Sequence, residues 1–553
     1  MDSPRGEQSF CFWNLGMKSF DYVIVGAGSA GCVLANRLSA NGKYTVLILE
    51  AGGSDKRFWV QVPIGYGKTY YQKAVNWMYL TEADEGTSNR KSYWPRGKVL
   101  GGSSSINAMV YIRGHKKDYD DWEAAGNPGW GYNDVLPYFK KSENNQLGDD
   151  GYRGTKGPMH VSDLSKDLHP LCQNFIKAGE ELGLKNNDNF NGAEQEGIGL
   201  YQTTTRKGFR ESASKAFLHP ALKRKNLKLI TNAHATKVLF EGKKAVGIQY
   251  LHKGKTKQVY AKKEVILSGG SINSPQLLQL SGVGPKKLLE DQEIPVIHDS
   301  PAVGQHLQDH LGMDYLYKCT EPSLNDELHS LWGKFIAGVK YVLFRRGPLS
   351  LSINQGGGFI KTRPELPQPN IQLYFSPVSY TRAPAGTRPM MNPDPFSAFQ
   401  LGLTNCRPTS RGEIKIKSSD PLEAPTIKPN YLSTDEDIQE LLEGVKYLRE
   451  LAETKAFKEI VIDEFRPGPS CKTDEQLIED IRGYAWTCFH PTSTCRMGPN
   501  PDENVVDSNL KVHGIDNLRV IDASIFPTVI SGNTNAPAIM VGEKGADLVL
   551  ADA

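Results

Sequence analysis

Apolar residues follow two different rhythms along this chain. Near the N-terminus, FDYVIVGAGSAGCVLANRLSA (20–40) opens with the β-branched run DYVIV, which suits a strand buried on both faces of a parallel sheet. A glycine turn follows, and then apolar positions through Leu34 and Leu38 at helical spacing. TVLILEAG (45–52) is a second continuous apolar run of strand length. KEVILSGGSINSPQLLQLSGVGP (263–285) predicts a strand that returns to this sheet, ends in glycines and opens a helix at SPQLLQL. NLRVIDASIFP (517–527) is another apolar strand, and NAPAIMVGEKGADLVLA (535–551) reads as the closing helix.

The middle of the chain has a different character. PNIQLYFSPV (369–378), FSAFQLGLTNC (396–406) and GEIKIKSSD (412–420) alternate or carry β-branched and aromatic residues, which predicts an antiparallel sheet. Helical patterns flank it at SLWGKFIAGVKYVLF (330–344) and DEDIQELLEGVKYLRELAET (435–454). The proline-rich SYTRAPAGTRPMMNPDPF (379–396) reads as a long loop. The expected fold class is therefore α/β: a mostly parallel sheet with added strands, joined to an α+β unit built on an antiparallel sheet.

The first turn carries chemistry. Gly26, Gly28 and Gly31 make G-x-G-x-x-G between a strand and a helix, and Glu50 ends the next strand nineteen residues beyond Gly31. That combination is a Rossmann-like dinucleotide signature. The glycines allow the turn, the approach of a pyrophosphate and the packing of helix on sheet. Ser29, Ala30 and Ala51 lie in the same two turns. Glu50 can accept hydrogen bonds from ribose hydroxyls and disfavours a 2′-phosphate.

Composition removes several alternatives. Sixty-five Lys and Arg against 62 Asp and Glu leave a net charge of +3, too balanced for a nucleic-acid partner. The local basic clusters LKRKNLK (222–228) and FRRG (344–347) read as solvated helix ends and loops, or as a docking patch for anionic lipid. Eight cysteines are scattered with no CxxC pair, which suits a reducing compartment. The first twenty residues lack a signal-peptide core, and residues 1–18 are expected to be an N-terminal extension. No run of eighteen apolar residues predicts a membrane span, so the expected location is cytoplasmic.

CFHPTSTCRMGPN (488–500) poses a choice for His490 between metal ligand, structural residue and base. Cys488 and Cys495 have no second paired ligand set, so zinc is not expected and both are read as packing residues. VGQHLQDH (303–310) brings His306 and His310 close in sequence, again without a metal expectation.

GKVLGGSSSINAMVYIRG (97–114) and GSINSPQLLQLSGVG (270–284) resemble the two signature segments of the glucose–methanol–choline (GMC) oxidoreductases. With the N-terminal fingerprint, FHPTSTCRMG and SGNTNAPAIMVGEKGADL, the resemblance runs from about residue 19 to about 550. Within the family the chain looks like choline dehydrogenases and, more so, flavin-dependent alkanol dehydrogenases.

The resemblance implies FAD as cofactor, with Gly101, Gly102, Ser103, Ser104, Asn107, Ala108, Val110, Val238, Asp522, Ala523 and Asn533 beside it. Some members attach FAD through a histidine in the serine loop. Here that position is Ile106, so FAD is expected to be non-covalent. The resemblance makes His490 the base that takes the alcohol proton and Asn533 its partner. An FAD-binding domain at 19–160, 200–312 and 500–553 is expected, with a substrate domain at 161–199 and 313–499. The expected substrate is an uncharged aliphatic or aromatic primary alcohol, and the acceptor a quinone reached through a peripheral membrane contact. Choline dehydrogenase, an O₂-using oxidase and a non-oxidative lyase are the alternatives. The family usually has Asn where this chain has His306.

Overall fold

The computed structural model describes residues 18–380 and 392–553. The expected N-terminal extension, save Lys18, and most of the proline-rich loop lie outside the described residues.

Two seven-stranded sheets organise the chain. In the first, Leu227–Ile230, Val46–Leu49, Ser19–Val25 and Lys255–Leu267 lie side by side and parallel. The C-terminal half of the long strand Lys255–Leu267 also pairs in parallel with Leu518–Val520. Its N-terminal half continues into an antiparallel meander with Lys244–His252 and Ala233–Glu241. The predicted return of 263–285 to the N-terminal sheet is thus observed. Val46–Leu49 is buried at every position, as a run apolar on both sides requires.

The second sheet is antiparallel throughout. Its order is Val461–Arg466, Leu311–Cys319, Ala398–Asn405, Ile371–Ser376, Gly356–Ile360 and Gly197–Leu200. Trp486–Thr487 pairs with the start of Leu311–Cys319. The helix Asp435–Glu453 lies against Ala398–Asn405, whose residues are all buried. One expected strand is displaced. Glu413–Lys415, from GEIKIKSSD, pairs only with Thr426–Lys428 in a separate ribbon. Its register puts Ile414 against Ile427, both buried, so the ribbon buries its apolar residues without joining the sheet.

The closing helix Asn535–Ala551 packs on Ser29–Leu38. Arg37 grips the fully buried Glu543 with two donors, at 2.7 and 2.6 Å. Gly542 lets the backbones approach, since a Cβ there would stand 3.0 Å from Ala30. Ser29 Oγ donates to Asn535 Oδ1 at 2.8 Å, so both helices begin at the same place.

Candidate active site

A cavity of about 1090 Å³ receives residues from both sheets. On the parallel side it is lined by Gly26, Gly28, Ser29, Ala30, Glu50 and Ala51. Gly26 has φ +100°, and a Cβ there would stand 2.3 Å from Ser268 O, so only glycine makes this turn. Helix Ser29–Leu38 has no side-chain cap and its first internal bond is Cys32 N–H to Gly28 O. The N–H groups of its first turn are thus left for a ligand, an arrangement that suits a pyrophosphate.

Glu50 closes the cradle. Its carboxylate accepts from Ala27 N at 2.9 Å and Gly52 N at 2.8 Å, one bond per oxygen. Burial pushes its carboxyl up to about 7, against the pull of those two donors and of Lys98. Each oxygen keeps a lone pair for a ribose hydroxyl, and such donors would return the group toward its ionised form. The glycine turn, uncapped helix and spare carboxylate acceptors together fit a dinucleotide.

The serine loop divides its labour. Gly102, Ser103, Asn107, Ala108 and Val110 line the cavity, as do Asp522, Ala523 and Asn533 at the C-terminal end. Gly101 and Ser104 do not, because they build the loop behind it. Ser104 Oγ donates to Gly101 O at 2.6 Å and accepts from Ala213 N at 3.0 Å. Gly31 sits beneath the first turn, where a Cβ would stand 2.0 Å from Gly26 O. Val238 also lies off the cavity: it is buried and its N–H donates to Ser281 Oγ at 2.8 Å. Ala233, His234 and Ala235, earlier on the same strand, line the cavity in its place. Cys488 packs against the apolar cluster of Val110, Ile112 and Tyr374 and also reaches the cavity wall, while Cys495 is buried in the core.

His490 and Asn533 meet at this cavity, with Asn533 Nδ2 3.3 Å from His490 Nε2. Their placement follows from chain pairing. Leu311–Gly312 pairs with Trp486–Thr487, Gln308 bridges Thr492, and Cys488 N–H donates to His310 O at 2.9 Å. Segments 308–312 and 486–492 therefore run side by side, and Asp309 Oδ1 accepts the His490 N–H at 2.6 Å. Asn533 is held from the other side, where Gln372 Nε2 donates to its Oδ1 at 3.1 Å. That bond turns the Asn533 amide N–H₂ toward His490.

The hydrogen bonds assign the protons on the histidines. His310 Nε2 lies 2.9 Å from Cys406 O, a carbonyl that can only accept, so His310 carries its proton on Nε2. In that tautomer its bare Nδ1, 2.9 Å from His490 Nδ1, accepts the His490 proton, with the Ile530 carbonyl a second acceptor beside His310. His490 Nε2 is left with a lone pair facing the Asn533 amide. Burial, then His310, then Arg96 hold His490 well below the usual imidazole range, and burial takes His310 down to about 4. Both rings stay neutral at physiological pH.

The sequence reading missed His310 as the partner of His490, 180 residues away, along with Asp309 and Gln372. The QDH of VGQHLQDH drew notice only for its histidine spacing. His306 does not line the cavity, and among the described residues no group of three His, Cys, Asp or Glu converges as a metal site.

Models described as GMC oxidoreductase match residues 20–312 and 408–542. The chain is 44% identical over 535 residues to an alcohol dehydrogenase [acceptor] of Pseudomonas putida, covering 96% of each chain. It is 42% identical to an oxygen-dependent choline dehydrogenase of Photobacterium profundum, covering 96% of this chain and 93% of the other. A solved formate oxidase of Aspergillus oryzae, studied for modification of its FAD, superposes with a TM-score of 0.89 at 28% identity, over 97% and 98% of the two chains.

Proposed function

This chain belongs to the GMC oxidoreductase family, whose members bind FAD, and on that footing we propose that it oxidises an uncharged primary alcohol to the aldehyde with His490 as the base. The observation that carries this reading is the bare Nε2 of His490, facing the Asn533 amide inside the cavity that holds the dinucleotide cradle. The alcohol hydroxyl gives its proton to Nε2, and Asn533 donates a hydrogen bond to the oxygen as negative charge develops. That charge in turn stabilises the imidazolium, which the dry site otherwise disfavours. FAD, when bound, would supply the acceptor for the hydride leaving the carbinol carbon, with a quinone-type compound as the final acceptor of the two electrons.

FAD is held here without a covalent bond. Ile106, buried against Val60, Val75 and Val99, offers no nucleophile at the linkage position. Acid precipitation leaves the yellow colour in the supernatant; flavin remaining with the pellet contradicts this.

Choline is the second reading, and Asp314 is what favours it. This buried carboxylate lines the cavity near Phe465, Tyr484 and Trp486, the materials of a quaternary-ammonium site. Against it, Arg466 already stacks over Tyr484 at 4.6 Å, and Arg96 lies close enough to His490 to depress its pKa. Both repel a cation, so the uncharged alcohol is preferred.

A substrate panel run anaerobically, then with an artificial dye, then with O₂ alone, tests the assignment. Uncharged primary alcohols bleach the flavin and drive dye reduction, choline lags, and peroxide forms slowly. Choline outpacing every uncharged alcohol, or peroxide forming as fast as dye is reduced, contradicts it.

A further inference from the structure

The helix Leu331–Phe344 presents its apolar face to solvent. Leu331 is 86% exposed, Trp332 69%, Phe335 60% and Leu343 66%, with Ile336 and Val342 also exposed. At about 100° per residue these six positions fall within an arc of about 140°. Ala337 and Tyr341, the helix's two buried residues, lie on the opposite side. The exposed Lys334 and Lys340 flank the apolar arc, one on each border. Between Leu331 and Gly347 there are four cations (Lys334, Lys340, Arg345, Arg346) and no acid, so the segment carries +4.

A second patch adjoins the first. Phe58 (55% exposed) and Trp59 follow Lys56 and Arg57, and their short helix touches the strand Phe209–Arg210. Tyr341 reaches the same strand: its ring lies 6.4 Å from that of Phe209, and its hydroxyl donates to Gly208 O at 2.9 Å.

We propose that this face is the surface on which the protein lies on an anionic lipid bilayer. An outward apolar arc bordered by lysines is the pattern of a helix lying in the headgroup plane, and the net positive charge selects anionic lipid. Fourteen residues span about 21 Å, short of a bilayer's ~30 Å hydrocarbon core. No helix among the described residues is long and apolar enough to cross. Behind the helix, Tyr341 belongs to one apolar cluster with Tyr66, Tyr70, Ile353 and Tyr380, four residues that line the cavity. One apolar cluster thus runs from the lipid-facing helix to the wall of the active site. The bilayer is then the source of a water-insoluble alcohol or quinone. That consequence rests on the proposed oxidation; the docking does not.

The test is sedimentation of full-length holoenzyme with vesicles of phosphatidylcholine alone or with phosphatidylglycerol added. The protein is expected to pellet with the anionic vesicles, less so as salt rises, and weakly with the neutral ones. Trp332→Glu with Phe335→Glu lowers vesicle binding by about tenfold or more, while dye-linked oxidation of a water-soluble alcohol is unchanged. Lys334→Glu with Lys340→Glu removes the preference for anionic lipid. Wild-type protein staying in the supernatant with both vesicles overturns the proposal. So does a double-aromatic variant that pellets like wild type, or a solution dimer that those substitutions split, which would make a second copy the occupant.

Discussion

His490 is useful as a base only if its proton sits on Nδ1, and three atoms decide that. Cys406 O fixes the tautomer of His310, and His310 Nδ1 then claims the His490 Nδ1 proton. His310 is thus a positioning residue, one step removed from the reacting atoms. His310→Leu leaves His490 Nδ1–H without its partner in a buried site, and the tautomer protonated on Nε2 begins to compete. Loss of such a bond costs roughly 1–3 kcal/mol, so anaerobic flavin reduction is expected to slow about 10- to 100-fold at unchanged FAD content. His310→Gln, whose amide oxygen accepts the same N–H, restores much of the rate. Equal loss in both variants would reduce His310 to a packing role. The pH dependence has a definite sign as well. A depressed pKa keeps His490 neutral, and so competent, at every pH above that low value. Reduction should hold its plateau from neutral pH down through ~6.5, the ordinary imidazole value, and fall only well below it. A limb centred near ~6.5 contradicts the buried, neutral base.

Asn533 owes its place to the last residues of the fourteen-residue stretch (521–534) between the last strand and the closing helix. Asp118 accepts from Ser531 N at 2.7 Å and from Ser531 Oγ at 2.8 Å, and Gln195 donates to Ser531 O at 3.0 Å. Gly532 follows at φ +135°, where a Cβ would stand 2.4 Å from Ile112 Cγ2. Gly532→Ala is therefore strained both in its backbone and against its neighbour. It should destabilise the fold by about 1–3 kcal/mol, lowering Tm, and slow flavin reduction by moving Asn533. Wild-type reduction rates in the folded variant would mean that Asn533 tolerates displacement. This clamp was hidden in the sequence, because Asp118, Gln195 and Ser531 share no local pattern. The elements themselves were more legible. DYVIV, TVLILEAG and 263–285 carry the composition of buried parallel strands, and each forms one. Leu311–Cys319 went unread: Gly312, Asp314 and Lys318 break its apolar run, and its pairing partners lie far along the chain.

On the scale of the whole molecule, the site exists because two sheets share a cavity. Gly26, Glu50 and Asp522 come to it from the parallel sheet and its turns, and Asp314, Tyr374 and Gln400 from the antiparallel one. The glycine turn was readable in advance because a dinucleotide cradle is local, one strand, one turn and one helix. The histidine pair was not, since it depends on how residues 308–312 and 486–492 align. The same separation makes the central claim testable, because the base hydrogen-bonds Asp309, His310 and Asn533 rather than the glycine turn or Glu50, and its loss is expected to leave the cofactor site intact. Stopped-flow reduction of the His490→Ala holoenzyme by a primary alcohol, without oxygen, is the most direct measurement. With His490 as the base, reduction slows by about 10²–10⁴-fold while FAD content matches wild type. Reduction at close to the wild-type rate contradicts the account.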